Sequence, residues 1–218
     1  MNILAIDTCT EVASVTLYSS KVKVTRVLTD IAKSSGYILK LCDEVFKEAG
    51  NNLQEIDFIS YTKGPGAFTG VRMCVGVVQG LSLSCSIPTL GFSTLELLAF
   101  RASKILKKDK IATAIDARMG EVYWAVYDNG SISNMRICKP ENVDNLGTGF
   151  VGVGTGWKVH NDELIKASQI NHTDSNIYPE STDLIDLSLL AIELGQKATF
   201  DLPQPIYLRN NVAQKSLK

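Results

Sequence analysis

At 218 residues, 45% hydrophobic and 21% charged, the chain has the composition of a globular protein large enough for one sizeable domain or two small lobes. A formal net charge of −1 excludes a general basic field for nucleic acid, so an RNA role needs a partner to supply most phosphate contacts. The opening Met1-Asn2-Ile3-Leu4-Ala5-Ile6 has no basic flank and runs straight into Asp7. The longest apolar stretch, residues 71–85, contains Arg72 and Gln79, so neither a secretory leader nor a membrane span is expected, and the expected location is the cytoplasm.

In chain order, residues 3–8 read as a buried strand, and 11–19 alternate with Ala13, Val15 and Leu17 on one face, as the antiparallel partner across the Thr8-Cys9-Thr10 turn. Residues 22–28 read as a third strand. A helix is expected to open at Ser34 or Ser35, place Ile38, Leu41, Cys42, Val45, Phe46 and Ala49 on one face, and stop at Gly50-Asn51-Asn52. Strand 56–62 follows, then Lys63-Gly64-Pro65-Gly66-Ala67-Phe68-Thr69-Gly70-Val71-Arg72, where unusual backbone chemistry is concentrated. Gly64 and Gly66 tolerate φ > 0 and close approach, Pro65 fixes one φ, and Thr69 is the expected N-cap of a helix over 70–84. Such a helix start can seat an anion, or it can be a tight structural corner. The helix is apolar around much of its circumference, the pattern of a sandwiched helix.

A short strand at 89–91 leads to Ser93-Thr94-Leu95-Glu96, a capping-box start for a helix to about residue 107. Strands at 111–117 and 121–127 flank Arg118-Met119-Gly120, and Asp128-Asn129-Gly130 signals a hairpin into 132–137. Pro140 starts a short helix, 150–153 is a strand, 160–174 is ambiguous, Asp183 caps a helix to Ala198, and residues 203–209 are extended. The five cysteines, Cys9, Cys42, Cys74, Cys85 and Cys138, are odd in number and never spaced C-x-x-C, as expected of reduced thiols in a cytosolic protein, each a small buried apolar residue.

Ala5-Ile6-Asp7 recurs as Ala114-Ile115-Asp116, and Glu11-Val12 as Glu121-Val122. In both copies a strand ends in Asp, turns, returns from Glu-Val, and is followed by a third strand and a helix. Gly64-Pro65-Gly66 and Gly154-Thr155-Gly156 are the matching later bends. The expected fold is therefore α/β, two tandem β-β-β-α lobes that resemble the actin, sugar-kinase and heat-shock ATPase plan at reduced size. The expected lobes are 1–108 and 109–218, the last residues packing back on the first. The phosphate hairpins of that plan read Asp-x-Gly, whereas these read Asp7-Thr8-Cys9 and Asp116-Ala117-Arg118; Asp7 and Asp116 can hold a metal-bound water or cap their turns. Asp7, Thr8, Thr69 and Asp116 are the candidates for a residual nucleotide or anion site. The glycine bend is neither G-x-x-x-x-G-K-S/T nor G-x-G-x-x-G, and there is no G-x-S-x-G elbow. His160 and His172 lack H-E-x-x-H or cysteine companions, so no metal site is expected, and Trp124 and Trp157 are expected to pack or to cover a cleft.

Residues 3–8, 63–72 and Gly91-Phe92-Ser93-Thr94-Leu95-Glu96, then 116–123 and Tyr207-Leu208-Arg209-Asn210-Asn211-Val212-Ala213, resemble the TsaB family, also called YeaZ, in order and over nearly the whole chain. The resemblance implies a non-catalytic subunit of the bacterial machinery that makes N6-threonylcarbamoyladenosine at position 37 of tRNAs reading ANN codons. It implies that a paralogue, TsaD, carries the metal and active site, that an ATPase, TsaE, completes the assembly, and that this subunit holds no cofactor. A homodimer in isolation, tRNA contact through the complex and no membrane association follow from it too. The nearest positions to the metal histidines of TsaD are Thr94 and Leu98, which cannot replace imidazoles, so the older glycoprotease-like label does not make a metalloprotease. The family's His-Ser/Thr pair before the first helix is Lys33-Ser34-Ser35 here. In the family the first two helices pack on TsaD or on a second TsaB. Tyr37, Leu41, Val45, Val71, Val75 and Val78 are the candidate partner positions, and periodicity leaves open which face a partner and which the core. The alternative is an independent ATPase or kinase of the duplicated fold.

Overall fold

The computed structural model describes residues 1–20, 22–29 and 37–209. The first sheet has the order β3-β2-β1-β4-β5, built from β1 (Ile3–Asp7), β2 (Ala13–Tyr18), β3 (Lys23–Leu28), β4 (Phe58–Thr62) and β5 (Thr89–Phe92). The second contains β6 (Lys110–Asp116), β7 (Val122–Asp128), β8 (Ser131–Cys138), β9 (Val151–Val153) and β10 (His172–Asp174), in the order β8-β7-β6-β9-β10. Each sheet pairs its first three strands antiparallel and its last three parallel, so the repeat seen in the sequence is a repeat of topology. Both central strands, β1 and β6, end in an aspartate.

Among the described residues there are six α-helices, α1 (Ile38–Ala49), α2 (Phe68–Cys85), α3 (Thr94–Leu106), α4 (Gly156–Val159), α5 (Asn161–Ser168) and α6 (Ser181–Glu193), and two 3₁₀ turns, Leu53–Glu55 and the Pro140–Asn142 turn that Pro140 opens. The layers follow from strand alternation. Leu4 and Ile6 of β1 face α1 and α2, while Ile3 and Ala5 face α6 and Leu97 of α3. Leu95, Leu98, Ala99 and Ala102 of α3 cover one face of the second sheet, and Trp157 of α4 and Leu164 of α5 cover the other. Both sheets are thus buried on both faces, the condition for continuous apolar strands such as Ile3-Leu4-Ala5-Ile6.

The boundary at residues 108 and 109 therefore divides the strands but not the helices. The whole of α6, rather than only the last residues, crosses back to the first sheet, through Leu184, Ile185, Leu187 and Ala191 and a seam of buried hydroxyls. Ser181 N–H donates to Ser14 Oγ (2.8 Å), Ser181 Oγ pairs with Thr16 (2.8 Å), and Ser188 Oγ donates to Ser60 (2.6 Å). Asp183 is not the cap of α6; it lies in the first turn, bound to Arg101 and to Lys104 (2.7 Å) of α3, and the helix ends at Glu193 before Gly195 at φ 92°. The ambiguous 160–174 segment resolves into α5 and β10. The expected opening of α1 at Ser34 or Ser35 lies outside the described residues, as does Lys33.

Local signals read from the chain hold where they rest on backbone chemistry. Ser93 caps α3 by accepting from Glu96 N–H (3.0 Å), and Asn129 and Gly130 turn the β7–β8 hairpin at φ 48° and 85°. Trp157 sits flat against β9, its Nε1 donating to the Ala112 carbonyl (3.2 Å), and a Cβ on Gly152 would lie 2.4 Å from its ring. Gly152→Ala is therefore expected to overpack this contact and lower stability by about 2 kcal/mol in denaturant unfolding.

Candidate functional site

The corner after β4 is built by close backbone approach. Lys63 N–H donates to Phe92 O (2.9 Å), Thr94 N–H to Gly64 O (2.9 Å), and Ala67 N–H to Cys9 O (2.8 Å). Gly64 takes φ 92°, and the Gly64–Pro65 bond is cis. A Cβ on Gly66 would lie 2.0 Å from Cys9 O, and one on Gly70 would lie 2.1 Å from Thr8 O. Thr8 Oγ1 also donates to Gly70 O (2.7 Å). The β1–β2 turn and the start of α2 are one packed unit, so Gly66 and Gly70 serve this chain's own backbone. The helix ladder opens with Val71 N–H to Ala67 O (2.9 Å), which makes Ala67 the cap and puts Thr69, the expected N-cap, on the exposed first turn.

The two aspartates do the same job in the two lobes. Asp7 Oδ1 accepts from Cys9 N–H (3.1 Å) and from the Thr62 hydroxyl; Asp116 Oδ1 accepts from Arg118 N–H (2.9 Å). Each caps the turn it begins. Asp7 is fully buried and its Oδ2 has no hydrogen-bond partner. Desolvation pushes its pKa from 3.8 up to about 6, against the lowering effect of the Thr62 and Cys9 bonds. Asp116 is partnered by the Arg118 guanidinium (3.0 Å) and lies 3.9 Å from His160 Nε2. Of the four anion candidates, Asp7 and Thr8 are enclosed in the corner, Thr69 lies on the outside of α2, and Asp116 alone lines the cavity between the lobes. They do not converge on one ligand.

That interlobe cleft has a volume of about 590 Å³. Cys9 and Glu11 of the β1–β2 turn, Phe68 and Arg72 of α2, residues 116–119, and residues 206–209 of the tail form its walls. The Arg72 guanidinium lies 3.3 Å from the Phe68 ring centroid and 4.9 Å from that of Tyr207. Arg118, Met119 and Gly120 take φ of 62°, 57° and 73° in succession, a turn that two non-glycine residues adopt only with support. Arg209 supplies it: its guanidinium donates to Ala117 O (3.0 Å) and Arg118 O (3.4 Å) and pairs with Glu121 (2.7 Å). Nothing in the local sequence around Arg209 announces this role, because the acceptors are main-chain atoms some ninety positions away.

The candidate partner positions, left open between partner and core, divide by burial. Leu41, Val45, Val71, Val75 and Val78 are buried between α1, α2 and the first sheet, and only Tyr37, at 44%, is exposed. Their helical spacing is the spacing of the core stripe. The outer face of α2 is instead Phe68, Arg72, Gly76, Gly80 and Leu83, the last 70% exposed. Nothing lies within 4 Å of where a Cβ on Gly76 or Gly80 would sit. By length and composition alone α2 is the one described helix that could cross a membrane, yet its inner stripe is packed on a sheet. Among the described residues no cluster of three His, Cys, Asp or Glu side chains could hold a metal, and Thr94 and Leu98 are buried in α3.

Two lobes of one topology, each with a central strand ending in a capped Asp turn beside a shared cleft, define a duplicated α/β protein of the actin, sugar-kinase and heat-shock ATPase type. Residues 32–195 match the model of the TsaD family, tRNA N6-adenosine threonylcarbamoyltransferase. The tRNA threonylcarbamoyladenosine biosynthesis protein TsaB of Escherichia coli is 34% identical over 227 residues, spanning 100% of this chain and 98% of that one. The Haemophilus influenzae TsaB is 32% identical over 236 residues, spanning 100% and 97%. YeaZ from Pseudomonas aeruginosa superposes with a TM-score of 0.85 at 33% identity, over 95% of this chain and 99% of that one. The chain belongs to the TsaB family of tRNA threonylcarbamoyladenosine biosynthesis proteins.

Two outcomes test the corner. Gly66→Ala must displace either the Cys9 carbonyl or the start of α2, and is expected to cost about 2–3 kcal/mol by denaturant unfolding. Asp7 holds a proton in the folded state up to about pH 6 that the unfolded chain loses near 3.8, so stability falls as pH rises through that window. The loss amounts to about 3 kcal/mol above it. Asp7→Asn keeps an acceptor for Cys9 N–H and Thr62; thermal melts from pH 4 to 7 should lose this slope, with a higher melting temperature than wild type at pH 7.

Proposed function

We propose that this chain is a non-catalytic partner and activator subunit of the cytoplasmic machinery forming N6-threonylcarbamoyladenosine at position 37 of tRNAs reading ANN codons, beside the transferase TsaD and the ATPase TsaE. Membership of the TsaB family supports the pathway, and the match of residues 32–195 to the TsaD family supports a paralogous partner of similar shape. The observation that carries a scaffold role is the outer face of α2. A glycine inside a helix destabilises it by about 1 kcal/mol relative to alanine, and Gly76 and Gly80 have no neighbour in this chain that needs the space. Two such glycines one turn apart, flanked by exposed Phe68 and Leu83, fit a second helix approaching closely. The same face serves a homodimer in isolation and TsaD in the complex, so the two compete. tRNA is engaged through the complex, ATP and metal belong to the partner subunits, and no membrane is involved.

The second reading, an independent ATPase or kinase, has the interlobe cleft in its favour. Against it, the turn after Asp7 is pressed by Gly66 and Gly70 where that chemistry would need room for a phosphate. Calorimetry with ATP and Mg²⁺ should register no binding heat for the isolated chain; a saturable heat lost on Asp116→Asn would favour this reading.

The isolated chain should make no threonylcarbamoyladenosine, and adding it to TsaD, TsaE and substrates should restore synthesis. Gly80→Ala is expected to raise the stability of the isolated chain by about 0.5–1 kcal/mol. Gly80→Arg should lower both TsaD binding and synthesis about tenfold or more while the chain stays folded. Full synthesis without this chain, or undiminished support from the Gly80→Arg variant, would sink the proposal.

A further inference from the structure

The extended tail over residues 203–209 crosses the mouth of the interlobe cleft, and its two ends are held differently. On the first lobe the ties are several and independent. Gln79 Nε2 donates to Pro203 O (2.7 Å) and Ile206 N–H donates to Lys63 O (2.7 Å), and just before the tail Thr89 and Thr199 exchange two backbone bonds (2.7 and 2.9 Å). On the second lobe, among the described residues, every hydrogen bond comes from one side chain, Arg209, to Ala117 O, Arg118 O, Met119 Sδ and Glu121. The Arg209–Glu121 pair is partly solvent-exposed, at 18% and 29%, where ionic attraction is weak and screened by salt. The apolar joint between the lobes is elsewhere, in the α3 and α6 layer, and no residue of either helix lines the cleft.

We propose that residues 203–209 are an interlobe latch whose Arg209 hook releases while the Gln79 and Lys63 end stays seated. Among the described residues the hook is the single point of release: one guanidinium makes every hydrogen bond from the tail to the second lobe, whereas the first lobe holds it through bonds at separate residues. The same event relaxes the 118–120 turn, since the carbonyls that Arg209 holds flank its two left-handed non-glycine residues. Closed, the latch narrows the cleft and fixes that turn; open, it uncovers the cleft walls and frees the turn. Because Gln79 and Arg72 belong to α2, a partner seated on α2 would bias the latch. That extension rests on the partner reading above; the latch itself does not.

The 117–121 turn is the reporter, with Ala117 N–H bonded to Glu121 O (2.9 Å) and Glu121 N–H to Arg118 O (3.2 Å), and Ile206 N–H on Lys63 O (2.7 Å) reports the seated end. Amide hydrogen exchange is followed on the full chain, with Ala67 N–H, bonded to Cys9 O (2.8 Å), as the control for general loosening. Arg209→Ala is expected to raise exchange at Ala117 and Glu121 about tenfold with Ile206 and Ala67 unchanged. Arg209→Lys, which keeps the charge on Glu121 but not the fork to the two carbonyls, should fall between, and high salt should raise wild-type exchange at Ala117 and Glu121 selectively. Should Arg209→Ala not fold, the lysine variant and the salt series decide alone. Exchange at the turn that does not respond, or that rises in step with Ile206 or Ala67, overturns the latch. No partner is present in these arms, so their failure leaves the scaffold reading to its own reconstitution test.

Discussion

The contact on which the rest depends is backbone against backbone: the β1–β2 turn at Thr8 and Cys9 pressed onto the start of α2 at Gly66 and Gly70. It leaves no room for a single methyl group on either glycine. Because both sides are main chain, neither can yield by changing rotamer, and the direction in which α2 leaves the sheet is set there. The inner stripe of Val71, Val75 and Val78 follows from that direction, and so does the outward aim of Gly76 and Gly80. A corner of this kind resembles a phosphate cradle in one dimension, but in three it is filled by the chain's own carbonyls.

The two lobes use one device, an aspartate that caps the turn after the central strand, in two environments. Asp116 sits at the cleft wall with Arg118 and keeps a cation beside it. Asp7 has been carried fully inside, where two hydrogen bonds hold one oxygen and nothing holds the other. Burial then dominates, and the carboxyl gives up its usual acidity. The duplication is therefore one of topology with electrostatics allowed to diverge, the first lobe closing its turn around a helix while the second leaves its turn at the cleft under the grip of Arg209.

Much of the architecture was legible in the order of residues because it is written in local physics. Continuous apolar and alternating runs marked the strands, Ser93 and Glu96 marked the start of α3, Asn129-Gly130 marked a hairpin, and the repeated Ala-Ile-Asp strands marked the duplication. What the local pattern left open has one cause. Helical periodicity reports that a face is apolar but not what lies against it, so it left Leu41, Val45, Val71, Val75 and Val78 open between partner and core, and burial puts them in the core. The informative residues on the other face were Gly76 and Gly80, whose meaning appears only when no neighbour is found to need their smallness. Thr69 is not the cap because the Cys9 carbonyl of the β1–β2 turn, accepting from Ala67 N–H (2.8 Å), fixes where the helix opens.

Local sequence was thus sufficient for the element types, the tandem lobes and the family, since these depend on propensity, pattern and identity over short blocks. Contacts between distant segments decided the rest. The crossing of α6 to the first sheet, the desolvation of Asp7, the grip of Arg209 on the 118–120 turn and the split of α2 into a core stripe and a free face all join residues far apart in the chain. Their energies come from burial and from geometry between main-chain atoms, which no short window of side chains encodes.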